Sequence, residues 1–206
     1  MKRTAGTALI LAAAFALTAC APGSADGMSR GATTAQGDAA GPSPSATPSP
    51  GSTHDVPQNL PAIPAGVRVS LVLAQGHDEK IPDAVEHTLG EIDAELAVIT
   101  ADPASVVSDL ASAAAGDADV VVVVGTALLA SLDSASAQLL DQQFLVIGGQ
   151  LPEPTENVTA VVWSGADARV PGSEIPGNLV ATLPEAVTAG LAVISDGGSG
   201  MVYTLP

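Results

Sequence analysis

Short runs of aliphatic and β-branched residues alternate with helical patterns beyond residue 66. The runs have the length of strands, and between them apolar residues recur every three or four positions, the spacing of one helix face. The predicted strands are residues 67–74, 96–100, 120–124, 144–147 and 158–163, with a last edge strand at 201–205. The predicted helices are residues 82–92, 102–116, a stretch that follows 125–126, and 184–194.

This alternation predicts the fold class. Residues 120–124 are five consecutive valines, a pattern typical of a central parallel strand that is buried on both faces. Strands that alternate with helices through short connections form a parallel sheet with right-handed crossovers and helices on both faces. We therefore predict an α/β fold of three layers, of the flavodoxin-like or Rossmann-like kind. Asp102 is expected to cap the second helix, with Pro103 in its first turn.

The N-terminus indicates an export signal. Residues 1–3 carry two positive charges, and residues 8–17 are apolar. An apolar stretch of about ten residues is too short to span a bilayer, which needs about 20, so residues 1–19 are predicted to be a signal peptide. Leu17-Thr18-Ala19-Cys20 matches a lipoprotein lipobox, in which the cysteine becomes the lipidated N-terminus. The alternative is an ordinary secretory signal with an incidental cysteine.

Two further segments follow the signal peptide. Residues 20–66 are rich in Gly, Ser, Thr, Ala and Pro, and such a segment does not bury enough apolar surface to fold. We predict a disordered tether there, including His54 and Asp55, and one folded domain at residues 67–206. The chain would then be anchored through acyl chains on Cys20 at the extracytoplasmic face of the cell membrane.

Charge and motifs exclude several functions. The chain carries 22 acidic against 6 basic residues, a net charge of −16, and loss of Lys2 and Arg3 with the signal peptide makes it −18. Such a chain repels phosphate backbones, so nucleic acid is excluded as a partner. The single cysteine excludes a disulfide framework and a cysteine-based zinc site. Nucleophile-elbow, phosphate-loop, dinucleotide and zinc-protease motifs are absent, so we expect no enzyme, cofactor or metal.

Three stretches carry a family resemblance. Residues 117–125, 143–149 and 156–163, with the helix at 102–116 before them, are similar to the basic membrane protein (BMP) family of substrate-binding lipoproteins. The resemblance covers about residues 67–165. It implies a lobe like those of periplasmic binding proteins and a role beside an ABC importer, often for nucleosides. A complete binder of this family closes two lobes over its ligand and needs about twice the folded length, so the resemblance implies a single lobe here.

The candidate ligand site lies where the predicted strands end, because open parallel sheets bind ligands beyond the carboxyl ends of their strands. The residues predicted to contact a small polar ligand are Gly76, His77, Asp78, Gly125, Thr126, Gly149 and Gln150. For Gly125-Thr126 the alternative is a plain strand-to-helix turn with Thr126 as the cap. For His77 and Asp78 the alternative is a solvated loop.

Two functions remain open at this point. The first is a ligand-binding lipoprotein of the BMP type, reduced to one lobe, that works alone or as a dimer and has an ABC permease as partner. The second is a lobe without a ligand that docks on another envelope protein.

Overall fold

The structure is a computed structural model and describes residues 48–174 and 177–206. Within these ranges it has seven strands: β1 (Thr53–Asp55), β2 (Arg68–Ala74), β3 (Glu95–Ala101), β4 (Val120–Val124), β5 (Gln143–Ile147), β6 (Val158–Val162) and β7 (Val202–Thr204). The same ranges hold four helices: α1 (Lys80–Glu91), α2 (Val106–Ala115), α3 (Leu129–Ser136) and α4 (Leu179–Ser195). The predicted signal peptide, Cys20 and the predicted tether up to residue 47 lie outside the described residues.

The strands form one parallel sheet in the order β1-β7-β6-β5-β4-β2-β3. The five-valine strand β4 lies inside the sheet, as predicted. Its Val122 is in register with Leu71 of β2 on one side and with Leu145 of β5 on the other. The predicted α/β fold class is confirmed.

Helices cover both faces of the sheet because successive side chains of a strand point to opposite faces. On one face, Val122 belongs to an apolar cluster with Leu89 of α1 and Val187 of α4. On the other face, Val121 belongs to a cluster with Leu110 of α2. These helices bury both sides of β4, which explains its unbroken run of valines.

The predicted tether is wrong for residues 53–55, which form the edge strand β1. β1 is parallel to β7, and the amide of Val56 donates to the carbonyl oxygen of Thr204 at 3.1 Å. Consequently β7, which the sequence predicted at the edge, lies between β1 and β6. The sequence Thr-His-Asp of β1 has no apolar alternation, and its three residues are exposed, because the strand joins the sheet mainly through main-chain pairing.

The second helix begins later than predicted. Asp102 does not cap α2; its carboxylate accepts a hydrogen bond from the amide of Ala104 at 2.8 Å, and its carbonyl accepts one from Ser105 at 2.9 Å. These bonds form a separate turn, and α2 starts at Val106. Asp and Pro are as typical of such turns as of helix starts, which explains the error.

Two other helix limits also differ from the pattern. α3 ends at Ser136, so the predicted helical positions Leu139 and Leu140 follow it. α4 begins at Leu179, and Pro184, predicted near its start, lies inside it. At 17 residues α4 is the longest helix of the described chain, and none of the described helices has the length and apolar character needed to cross a membrane.

Candidate functional site

The ends of β4 and β5 bring four of the predicted residues together. Gly125, Thr126, Gly149 and Gln150 are all buried. A side chain at Gly149 would place its Cβ 3.0 Å from Cγ2 of Thr126, so the two turns are in close contact. The amide of Gly125 donates to the carbonyl of Ile147 at 2.8 Å and continues the pairing of the two strands.

The chain itself covers these turns with residues 164–174, the covering segment. The hydroxyl of Thr126 donates to the carbonyl of Ser173 at 2.8 Å, and the amide of Gly172 donates to the carbonyl of Thr126 at 3.2 Å. Leu128, not Thr126, is the residue before the first turn of α3, so the alternative role of Thr126 as a helix cap is wrong. The polar groups of Thr126 hold the covering segment in place.

The other predicted residues form the turn between β2 and α1. Gly76 has a φ of +77°, which favours glycine. Nδ1 of His77 lies 2.9 Å from the carbonyl oxygen of Ala74, and the carboxylate of Asp78 accepts from the amide of Lys80 at 3.0 Å. These contacts stabilise the turn and the start of α1. Strand order places this turn beside the end of β4, but no hydrogen bond among the described residues joins it to the other four.

A cavity of about 380 Å³ lies beside the covering segment, against β6, β7 and β1. It is lined by Thr53, Gln150, Val162, Trp163, Ser164, Asp167, Arg169, Val202, Thr204 and Leu205. Of the seven predicted ligand residues, only Gln150 lines it. Val162 and Val202 of the lining belong to the same apolar cluster as Leu110 of α2, so the cavity lies on the α2 face of the sheet. α2 itself packs over β2, β3 and β4, away from the three strands that line the cavity.

Gln150 has a buried polar atom without a partner. Its amide donates to the carbonyl of Ala168 at 3.0 Å, and its side-chain Nε2 donates to the carbonyl of Asp167 at 2.9 Å. The residue is only 7% exposed, and its Oε1 accepts no hydrogen bond from the described protein. A buried acceptor left in this state costs about 1–3 kcal/mol.

An aromatic ring and two charges complete the wall. Trp163 is buried, and its Nε1 donates to Oδ1 of Asn178 at 3.3 Å, which orients the indole. Asp167 and Arg169 are exposed and belong to the covering segment. No carboxylate of the described residues lies within salt-bridge distance of Arg169. The wall therefore offers an anion and a cation beside an apolar surface.

Shifted pKa values occur outside this cavity. At the amino ends of the strands, the Arg68 guanidinium donates to the carboxylate of Asp119 at 3.1 Å and lowers the pKa of that carboxyl. Burial, followed by the negative charge of Asp196, raises the pKa of Tyr203, which lines a separate cavity together with His54 and Asp55 of β1. No three potential metal ligands cluster anywhere in the described residues.

Most residues of the cavity were missed in the sequence because β1 was assigned to the tether and residues 164–174 carried no regular pattern. One signal was available. Arg169 is one of three basic residues beyond position 66 and follows a predicted strand, so it lies at the edge where ligands bind.

Comparisons with known proteins concern distant structures. Neither a protein-family profile nor a curated protein matches the chain. An ABC transporter solute-binding protein from Aeropyrum pernix K1 is 18% identical, over 48% of this chain and 29% of its own, with a TM-score of 0.43. One from Conexibacter woesei DSM 14684 is 19% identical, over 48% of this chain and 35% of its own, with a TM-score of 0.41. A fragment from Peptoclostridium difficile 630, provisionally named a lipoprotein, is 14% identical over 64% of this chain and 98% of its own, with a TM-score of 0.46.

The chain thus spans about a third of the length of the two ABC transporter proteins. Identities below 20% with TM-scores below 0.5 say nothing about what this chain binds. The function has to be argued from its own residues.

Proposed function

We propose that this chain is a lipid-anchored, extracytoplasmic binding lobe that holds a small polar ligand in the cavity beside Gln150. The observation that carries the proposal is the cavity wall itself, in which Arg169, without a salt bridge among the described residues, lies with Trp163 and Gln150. Ligand sites commonly combine an apolar surface with a few such polar groups.

The anchor is proposed from the N-terminal sequence. A lipobox ending at Cys20 and a Pro-rich segment after it would hold the domain close to the membrane surface. From this position the lobe would deliver its ligand to an ABC permease, the partner that the BMP resemblance implies. The same resemblance makes nucleosides the first ligand class to examine.

A second function is favoured by one observation at the opposite edge of the sheet. β3 has seven residues and pairs only with β2, so its outer main-chain groups have no strand partner in the described chain. Val98, in the middle of β3, is 46% exposed. An envelope protein could add an extended strand here, a known mode of recognition. In that case the lobe would be an interaction module.

Thermal unfolding of the intact chain tests the first function. Nucleosides, sugars and amino acids are added singly, and a ligand at 100 times its dissociation constant should stabilise the folded chain by about 2.7 kcal/mol. For a domain of this size, that stabilisation raises the melting temperature by several degrees.

Two glutamine variants show whether the cavity is responsible. Gln150→Met replaces a residue of the cavity wall, whereas Gln143→Met replaces the other glutamine that has an unpartnered oxygen, at the start of β5 and outside the wall. The proposal expects the ligand-induced shift to be lost only with Gln150→Met. A folded chain that responds to none of the compounds contradicts ligand binding and directs attention to the edge at β3.

A further inference from the structure

We infer that the outer edge of β3 binds an extended segment of a partner protein that is aliphatic in its middle and has Lys or Arg at both ends. The inference rests on the second function proposed above and names the chemistry of the partner. The bound segment would pair with the main chain of Leu96, Val98 and Thr100 and extend the sheet by one strand.

One hydrogen bond shows which main-chain groups of β3 face outward. The amide of Glu95 donates to the carbonyl of Val67 at 2.8 Å, which is toward β2. Successive residues of a strand direct their main-chain groups to opposite sides. The amides and carbonyls of Leu96, Val98 and Thr100 therefore point away from β2. The register with β2 is uninterrupted along β3, so these groups form one continuous row.

The edge lacks the usual protection against an added strand. Exposed edges are commonly protected by lysine or proline residues or by a bulge. Residues 95–101 contain neither lysine nor proline, and their only charge is at the first position. Val98, in the middle, is 46% exposed, and Ala97 and Thr100 are exposed as well. An aliphatic residue of an added strand opposite Val98 would cover it.

Carboxylates lie at both ends of this edge. Asp93 and Glu95 are exposed at its beginning. At its end the amide of Asp102 donates to Oδ2 of Asp109 at 3.2 Å, which brings a second carboxylate to the end of β3. A strand rises by about 3.3 Å per residue. Basic residues about seven positions apart in a bound segment would therefore reach both ends.

The basic residues of the described chain do not neutralise these four carboxylates, since none forms a salt bridge with them. Arg68 is in register with Glu95 but directs its guanidinium to Asp119, on the other side of β2. Lys80, at the start of α1, forms no salt bridge. The net charge of −16 also attracts a basic partner from a distance.

The same charges disfavour a second copy of this chain. Antiparallel pairing of two β3 strands about Val98 would place Glu95 of each copy opposite Ala101 of the other, beside Asp102. Each end would then hold carboxylates from both copies, and like charges on paired strands are destabilising. A segment with basic ends removes this repulsion.

Fluorescence anisotropy with the intact chain tests the inference. The probe is a labelled peptide with blocked ends, Lys-Val-Thr-Val-Thr-Val-Thr-Lys, whose lysines are seven positions apart. We expect saturable binding that weakens as salt is added. The same peptide with Glu in place of both lysines should bind about tenfold more weakly or worse.

Val98→Pro tests the main-chain contact. Proline removes the outward amide of Val98, and edge strands tolerate proline where the N–H faces solvent. The variant should keep the sheet and lose the peptide. Methylation of two consecutive central amides of the peptide places one methyl group toward β3 in either register. This peptide tests the same contact without changing the protein and should not bind.

Two double variants test the charges. Glu95→Gln with Asp102→Asn should weaken the lysine peptide by about fivefold or more at low salt. Asp141→Asn with Glu153→Gln removes the same charge beside β5, which β4 and β2 separate from β3. This control should leave the affinity nearly unchanged.

Each other outcome overturns a defined part of the account. Equal binding of the lysine and glutamate peptides would overturn the basic partner and retain strand addition at β3. Dimers of the intact chain that Val98→Pro abolishes would identify a second copy as the occupant and overturn the inference. Binding that Val98→Pro and peptide methylation leave intact, or a folded chain that binds neither peptide, would overturn both the inference and the second function.

Discussion

The side-chain Nε2 of Gln150 donates to the main-chain carbonyl of Asp167 at 2.9 Å. This bond joins the end of β5 to the covering segment and orients the amide, because a reversed amide would place Oε1 against the carbonyl. Oε1 is thereby left without a donor. The contact that closes the chain over the predicted crevice therefore also leaves a buried acceptor unpaired.

Methionine substitutions at the two unpartnered glutamines should affect stability differently. The side chain of Gln143 makes no hydrogen bond in the described chain, and its buried Oε1 is unsatisfied. Gln143→Met removes this oxygen, so it should raise the free energy of unfolding by about 1 kcal/mol or more. Gln150→Met removes an unsatisfied oxygen but also the bond to Asp167, so its net effect should be within about 1 kcal/mol of zero. Urea unfolding measures both values. A clear destabilisation by Gln143→Met would contradict this account.

Alanine substitutions at two helical glycines should act in opposite directions. A Cβ at Gly190 of α4 would lie 2.6 Å from Cδ1 and Cδ2 of Leu145, which is fully buried, so Gly190→Ala should destabilise by about 1–3 kcal/mol. Gly90 of α1 has no atom within 4 Å of such a Cβ. Gly90→Ala should therefore stabilise by up to about 1 kcal/mol through helix propensity.

Urea unfolding checks these two variants as well. Combining Gly190→Ala with Leu145→Val, which shortens the obstructing side chain, should recover part of the loss. Equal stabilisation by both alanines would mean that α4 does not approach β5 as closely as described.

The ion pair of Arg68 and Asp119 should make the free energy of unfolding depend on pH in the acid range. The pKa of Asp119 in the folded chain is below its value of about 3.9 in an unfolded chain. The stabilisation is therefore complete above that value and is lost as the pH falls through the lower folded pKa. Asp119→Asn should be less stable than the parent at pH 7, and the difference should shrink near pH 2.

The effect should be modest because both side chains of the pair are about half exposed and solvent screens their charges. Asp117→Asn is the matched control, since Asp117 is 4.0 Å from Arg68 and largely exposed. Its effect at pH 7 should be smaller. Urea unfolding at pH 7 and near pH 2 measures the free energy of unfolding of each variant and of the parent. A difference between Asp119→Asn and the parent that is larger near pH 2 than at pH 7 would contradict the assignment.

Hydrogen exchange should distinguish β1 from a disordered tether. The amide of Val56 donates to Thr204, and the amide of Val202 donates to Ser52. Both amides should therefore exchange more slowly than those of exposed loops, such as Gln58 and Asn59. Residue-resolved exchange of the intact chain measures this. Free exchange at Val56 would restore the boundary predicted at residue 67.

The sheet could be predicted because burial on both faces requires long apolar runs. Val120–Val124 indicates a central strand, and Phe144 is buried within β5 as its pattern predicted. β1 could not be predicted in this way, because a polar three-residue strand is stabilised by main-chain pairing and leaves no apolar pattern.

The candidate site was predictable only in part. The ends of β4 and β5 follow from strand boundaries, and Gln150 was found by this rule. Gln150 and Thr126 donate hydrogen bonds to the covering segment. These bonds depend on the path of that segment, whose sequence has no strand or helix periodicity. Asp167 and Arg169 reach the cavity through that path, so the strand pattern indicates the edge of the sheet on which Arg169 lies but not its place in the cavity wall.

Tryptophan fluorescence during titration tests the central claim most directly, because Trp163 is the only tryptophan in the chain and lines the cavity. The compound that raises the melting temperature of the intact chain is added stepwise. We predict that the emission of Trp163 changes and saturates at the concentration that gives half-maximal stabilisation, and that Gln150→Met weakens both responses together. A compound that stabilises the chain without changing the emission of Trp163 would bind elsewhere and contradict the account. The same conclusion would follow from a compound that stabilises Gln150→Met as much as the parent chain.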